Sequence, residues 1–282
     1  MLWLMVIALA ALQGLTEFLP VSSSGHLRLL AEAFGVEEPQ TLFDIMLHAG
    51  TLVAVFIVYR ALFWRMIVAV GRALRRPAGV REQLGRDPDL RLFVYATIAT
   101  IPTGLIAVAF GDAMEGLAVH VGAVGAALIV NAGILFVLRA LTIGRWKADP
   151  DNPRRPIEQL RLSDALLIGT AQGVGVIRGI SRSGSTITAG ILTGLEQQAA
   201  AAFSFVLAVP AILGALVMHL KDGGMSSDGL LHAVVGAVVA AIVGTVALLL
   251  LLRLLRGGRL HLFGWYCLAL GTAAVVWELV GV

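Results

Sequence analysis

A carboxylate, three hydroxyls and an imidazole stand close together near the start of this sequence: Glu17, Ser22-Ser23-Ser24, Gly25 and His26. An arginine stands among serines in a second segment, Ser181-Arg182-Ser183-Gly184-Ser185. A guanidinium makes bidentate contacts with phosphate. Serine hydroxyls and the unpaired N–H groups at the start of a helix bind anions. Histidine serves as a general acid or base near neutral pH, and a carboxylate orients it or holds a hard cation. Together these residue types point to chemistry on a phosphate.

The two segments are near copies. Gln13 to His26 aligns without a gap on Gln172 to Ser185, an offset of 159 residues. Phe43 and Leu47 are answered by Phe203 and Leu207 at an offset of 160. A duplicated polar core in an apolar chain is how many membrane proteins build one site from two halves. Gln13 and Glu17 are four residues apart and share a helix face. Pro20 ends that helix, and Ser22 to Gly25 open the next. Each feature has a plainer explanation. A serine turn is a common N-cap, a single histidine is often a hydrogen-bonded interior residue, and Arg182 could pair with Glu17, a role compatible with binding phosphate. The combination favours a site. Asp44, His48 and Thr51 fall at i, i+4 and i+7 on one helix face, and are placed just behind the site. Gly122, Gly125, Gly133, Gly236 and Gly244 are expected to allow close helix packing. His120, His219, His232 and His261 sit near span ends and read as interfacial.

The chain is 58% hydrophobic and 14% charged, with a mean hydropathy of +0.89. Soluble domains run about 45–50% apolar and about 25% charged, so lipid is the solvent for most of this surface. The net charge of +3 reads as topology rather than nucleic-acid binding. A lone Cys267 excludes an internal disulfide, and no Cys/His zinc spacing occurs. The first 13 residues lack a basic start and are not expected to be a cleaved signal peptide.

Six segments are long enough for the ~20 residues that a membrane-crossing helix needs: 42–62, 92–110, 118–138, 199–219, 230–252 and 260–280. Two more, 1–34 and 162–195, are broken at their centres by the Ser/Gly motifs and read as re-entrant helical hairpins. Seventeen of the 21 basic residues lie in 60–91, 139–161 and 253–259. The positive-inside rule makes these loops cytoplasmic and both termini external. Lys221, Asp222 and Asp228 fall in an outer loop, while Arg28, Arg178 and Arg182 belong to the hairpins. The expected architecture is therefore an all-α integral membrane protein, with six transmembrane helices and two re-entrant hairpins in an inverted-topology repeat. The first repeat covers 1–141 and the second 161–282. A cytoplasmic linker, 142–160, carries Pro150, Pro153 and Pro156. With three spans per half, the hairpins enter from opposite faces and their tips can meet.

Gln13-Gly-Leu-Thr-Glu17-Phe-Leu-Pro-Val-Ser-Ser-Ser-Gly-His26 resembles the signature of the undecaprenyl-diphosphatase family of the bacitracin-resistance type. Gly179-Ile-Ser-Arg182-Ser-Gly is similar to its second signature. Phe43-Asp44 through Thr51 and Phe203 through Pro210 also resemble family segments, so the likeness covers nearly the whole chain. The resemblance implies a membrane phosphatase that converts undecaprenyl diphosphate to undecaprenyl phosphate and phosphate, recycling the lipid carrier of peptidoglycan synthesis and conferring bacitracin resistance. It implies site roles for Glu17, Ser23, His26 and Arg182, helped by a divalent cation, Mg²⁺ or Ca²⁺. Two departures stand out. Gln13 replaces a second Glu found in some members, and Arg178 replaces a frequent Pro, adding a cation near the tip or one that snorkels to the cytoplasmic surface. A different lipid phosphatase family needs a His five residues beyond Ser-Arg. Thr188 stands there and disfavours it.

In the expected site, Arg182 and the N–H groups around Ser22, Ser24, Gly25, Ser181, Ser183 and Gly184 hold the diphosphate. Glu17, with Gln13 or waters, binds the cation or orients His26, which shuttles the proton. The nucleophile is Ser23 or water activated by His26, with Ser23 preferred. The tail lies in an apolar groove between spans. A polyprenyl-phosphate transporter, or flippase, using the same phosphate site is the rival reading. Partners are the lipid substrate and membrane lipids, with no nucleic acid; a homodimer is the other partner considered. The expected location is the bacterial inner (plasma) membrane, with the site facing the periplasm.

Overall fold

The computed structural model describes residues 2–35, 41–75, 79–143, 154–219 and 227–281. Among them the chain forms twelve α-helices: α1 (Leu2–Phe18), α2 (Ser23–Phe34), α3 (Thr41–Val58), α4 (Arg60–Arg75), α5 (Val80–Arg86), α6 (Pro88–Ala118), α7 (Val121–Thr142), α8 (Leu162–Val174), α9 (Arg182–Leu192), α10 (Gln197–His219), α11 (Ser227–Arg256) and α12 (Leu262–Val280). Lys221, Asp222, Pro150 and Pro153 lie outside the described residues, as does the side chain of His219.

Five helices are long and apolar enough to cross a membrane: α6, α7, α10, α11 and α12. The sixth expected span, 42–62, is not one straight helix. The chain bends by 84° between α3 and α4. Residues 60–91, read from their charge as a loop, are mostly helical. The reason is a second periodicity beneath the arginines: Leu62, Met66, Ala69 and Ala73 recur at helical spacing and are buried. Arg65 and Arg72 pair with Asp89 and Asp87 at 3.2 and 2.7 Å. Asp87 also caps α6, accepting from the N–H groups of Asp89 and Leu90. Trp64, Ile67 and Leu74 stay exposed, as suits an amphipathic helix at a membrane boundary.

The hairpin legs α2, α8 and α9 have 12, 13 and 11 residues. At 1.5 Å per residue they reach about 17–20 Å, short of the ~30 Å hydrocarbon core. The main contacts among the long helices repeat between the halves. α1 lies on α11 as α8 lies on α6, and α3 lies on α11 as α10 lies on α6. The contacts α3 with α10 and α7 with α12 map onto themselves. At the α7–α12 crossing Gly125 and Gly271 face each other, and a Cβ added to either would lie 2.7 or 2.6 Å from the other's carbonyl oxygen. Gly236 and Gly244 press on Leu47 and Phe18, and Gly122 faces the Glu278 side chain. Gly133 faces open space instead and makes no close approach.

The basic segments gather at one end of the bundle. Arg65, Glu158 and Arg256 line a single cavity of about 440 Å³. The root of the second hairpin is tied there, with Arg155 donating to the Thr193 carbonyl at 2.7 Å. The outer end of α2 is tied to the α6–α7 turn, where Arg28 donates to the carbonyls of Ala118 and Val119 at 3.1 and 2.6 Å. Arg28 is thus a fastener, and the hairpins root at opposite ends.

Candidate active site

The two hairpin tips are sewn together by backbone and small polar groups. Ser22 caps α2 with φ 68, a left-handed conformation costly for a residue with a Cβ. Its Oγ accepts from Gly25 N–H at 3.3 Å within its own tip and from Gly179 N–H at 3.0 Å in the other. Gly179 has φ +104, and a Cβ there would lie 2.6 Å from both the Ala127 side chain and the Val124 carbonyl. From α7, fully buried Asn131 donates to the Pro20 carbonyl at 2.9 Å and accepts from Ser181 N–H at 3.0 Å. Ser183 donates to the Phe18 carbonyl at 3.0 Å.

A pocket of about 280 Å³ opens where the tips meet. Glu17 lines it and is 8% exposed. Glu17 Oε2 accepts from Gln13 Nε2 at 3.0 Å and from the Ser23 hydroxyl at 2.9 Å, while Oε1 accepts from Arg182. The Ser23 proton is thus already directed at a carboxylate, and the hydroxyl's lone pairs are free for another partner. Ser24, Asp44, His48, Arg178 and Ser181 also line the pocket. His48 Nε2 stands 3.5 Å from Glu17 Oε2, and Nδ1 donates to the Asp44 carbonyl at 2.9 Å. Arg178 lines the pocket beside Arg182, rather than pointing to the basic end of the bundle.

The structure brings Glu17, Ser23 and Arg182 together but does not bring His26 to them. His26 Nδ1 donates to the Ser22 carbonyl at 2.8 Å, so Nε2 accepts from the Tyr266 hydroxyl at 2.7 Å. The two rings stack at 5.6 Å, away from the pocket. The N–H groups of Gly25 and Gly184 are taken by the caps Ser22 and Ser181. Of the N–H groups nearest the helix starts, those of the pocket-lining Ser23, Ser24 and Arg182 are left for an anion. Thr51 donates to the His48 carbonyl at 2.8 Å, buried outside the pocket. Gln13 acts only through Glu17.

A divalent cation would find few ligands at Glu17. Gln13, Ser23 and Arg182 already donate to its two oxygens. Among the described residues no group of three or more His, Cys, Asp or Glu is arranged to hold a metal.

Two residues that sequence reasoning missed hold residues of the hairpin tips in place. Asn131 is a lone amide in an apolar helix, a signal that intramembrane polar residues generally carry. Tyr266 gave no such signal, because its role depends on His26, 240 positions away.

The profile of the family described as "Bacitracin resistance protein BacA" matches residues 6–273. The chain is 39% identical over 274 residues to the undecaprenyl-diphosphatase of Desulforapulum autotrophicum, covering 96% of both chains. It is 40% identical over 270 residues to that of Methanobrevibacter smithii, covering 94% of both. The similar protein of a Mycobacterium species is 36% identical over 288 residues, covering 100% of this chain and 99% of the relative.

Proposed function

The chain belongs to the bacitracin resistance (BacA) family, and from that membership we infer that it is an undecaprenyl-diphosphatase of the membrane, hydrolysing undecaprenyl diphosphate to undecaprenyl phosphate and phosphate. The observation that carries this reading to particular residues is the meeting of Ser23, Glu17 and Arg182 across two hairpin tips. Arg182 and the helix-start N–H groups hold the terminal phosphate and neutralise charge as it develops. Ser23 Oγ attacks phosphorus and gives its proton to Glu17 Oε2, 2.9 Å away. The lipid phosphate departs with the electron pair of the anhydride bond, and water then hydrolyses phospho-Ser23. The test is phosphate release from undecaprenyl and farnesyl diphosphate by purified protein. Binding without release would leave a transporter.

The guanidinium must serve Glu17 and phosphate at once, which one ammonium does not reproduce. Arg182→Lys is expected to cost roughly 1.5–3 kcal/mol of transition-state stabilisation, about ten- to a hundredfold in kcat. Arg178→Ala should lose clearly less. Equal losses at both positions would show that the phosphate clamp is misassigned.

Gln13→Glu places a second carboxylate where an amide now donates to Glu17 at 3.0 Å. Like charges that close hold a proton or a divalent cation between them. The variant's turnover is expected to gain a response to added Mg²⁺, measured as phosphate release with and without chelator. An unchanged response would show that this helix face does not recruit a cation.

We place the basic end of the bundle in the cytoplasm, so that the first hairpin enters from outside and the pocket serves the outer leaflet. In a Cys267→Ala background, an impermeant thiol reagent is expected to label Ser227→Cys and spare Gly79→Cys in intact cells. The reverse pattern would invert the topology.

A further inference from the structure

The mechanism above leaves two protons without a carrier. Undecaprenyl phosphate departs as an oxyanion, and the water that cleaves phospho-Ser23 must lose a proton. Glu17 takes the Ser23 proton in the first step and returns it in the second, and a second group beside it that carries the other two spares it from relaying them. His26 is turned away, with both its ring nitrogens engaged outside the pocket.

We propose that His48 is the acid–base catalyst of this pocket, protonating the departing lipid phosphate and then accepting the proton of the hydrolytic water. His48 lines the pocket and its side chain is 27% exposed. Its tautomer is fixed. A carbonyl only accepts, so Nδ1 carries a hydrogen toward Asp44 O. Nε2 then faces a carboxylate oxygen at 3.5 Å, a contact that becomes an ion pair when Nε2 takes up a proton. The charged groups around the ring are Glu17 from α1, Asp44 from its own helix with Oδ1 3.7 Å from Nδ1, and Arg182 from α9, with Arg178 on the same pocket wall. The turns of α10 and α11 that pack on this part of α3 are apolar: Ala208 and Ile212 reach Leu52, and Ala237 reaches Gly50.

The steps balance. In the first, the Ser23 Oγ–P bond forms and the bridging P–O bond breaks. The Ser23 proton goes to Glu17, and the Nε2 proton of His48 goes to the bridging oxygen as it leaves with the bonding pair. In the second, the water O–P bond forms and the P–Oγ bond breaks. The water proton goes to Nε2, and Glu17 returns its proton to Ser23. Glu17 and His48 end as they began, with one water consumed.

This proposal rests on the phosphatase reading of the pocket. Its test is the pH dependence of kcat for farnesyl diphosphate in purified wild type, His48→Gln, His48→Ala and His26→Ala. Because His48 must be protonated for the first step, wild-type turnover is expected to fall on the alkaline side. His48→Gln should lose at least about 100-fold, within the range for general acid–base catalysis, and lose that alkaline fall. Imidazole added to His48→Ala should restore part of the rate, whereas His26→Ala should keep the wild-type profile. Melting temperatures confirm that the variants are folded. A wild type with no alkaline fall, a His48→Gln that keeps it, or a His48→Ala that imidazole does not rescue would overturn the proposal while leaving the phosphatase intact. A wild type that releases no phosphate would overturn the phosphatase itself.

Discussion

Ser23→Ala is expected to lower kcat for undecaprenyl diphosphate by at least about 1,000-fold, roughly 4 kcal/mol in the barrier. Ser23 is 9% exposed, its hydroxyl hydrogen is committed to Glu17, and it lines the pocket. Removing it removes the nucleophile while leaving Arg182 and the helix starts able to bind phosphate. KM should therefore change far less than kcat, the signature of a group that acts only in the transition state. Ser24→Ala, whose hydroxyl makes only a 3.4 Å contact with Ser22, should lose much less. A Ser23→Ala enzyme that keeps roughly a tenth of kcat, a loss of about 1.4 kcal/mol, would rule the serine out and return the role to water.

Glu17→Gln should be nearly as damaging, by about 10²–10⁴ in kcat, the usual worth of a positioned base. The amide keeps the size of the carboxylate and can still accept from Arg182, so the fold should persist. It cannot take the Ser23 proton. Arg182 loses its counter-charge, but its side chain is 20% exposed in the pocket and water can reach it. Phosphate release and a melting curve on the same preparation separate the two effects. Near-normal turnover would remove Glu17 from the chemistry, and loss of the folded protein would make it structural.

Much of this was legible in the sequence because the site is local twice. Glu17, Ser23 and Arg182 sit in two aligned copies of one motif, and a repeat offset is visible without a structure. The apolar spans were equally plain, since lipid imposes a length on each helix. The rest was hidden for physical reasons. α4 carries two patterns at once, arginines for the membrane boundary and a Leu62-Met66-Ala69-Ala73 stripe for the bundle, and counting charge alone made it a loop. The motif puts His26 three residues after Ser23, yet the turn of α2 carries its ring toward Tyr266. His48, on a separate helix, reaches Glu17 instead. Gly25 and Gly184 suggested phosphate donors, but their N–H groups close the Ser22 and Ser181 caps. Such local capping competes with ligand binding, and sequence does not tell the two apart.

The stereochemical course at the transferred phosphorus tests the central claim most directly. Ser23 attack followed by hydrolysis is two in-line displacements, each inverting configuration. With a farnesyl diphosphate made chiral at its terminal phosphorus by oxygen isotopes and sulfur, the released thiophosphate is expected to show net retention. Net inversion would mean a single displacement by water, and would contradict the serine mechanism.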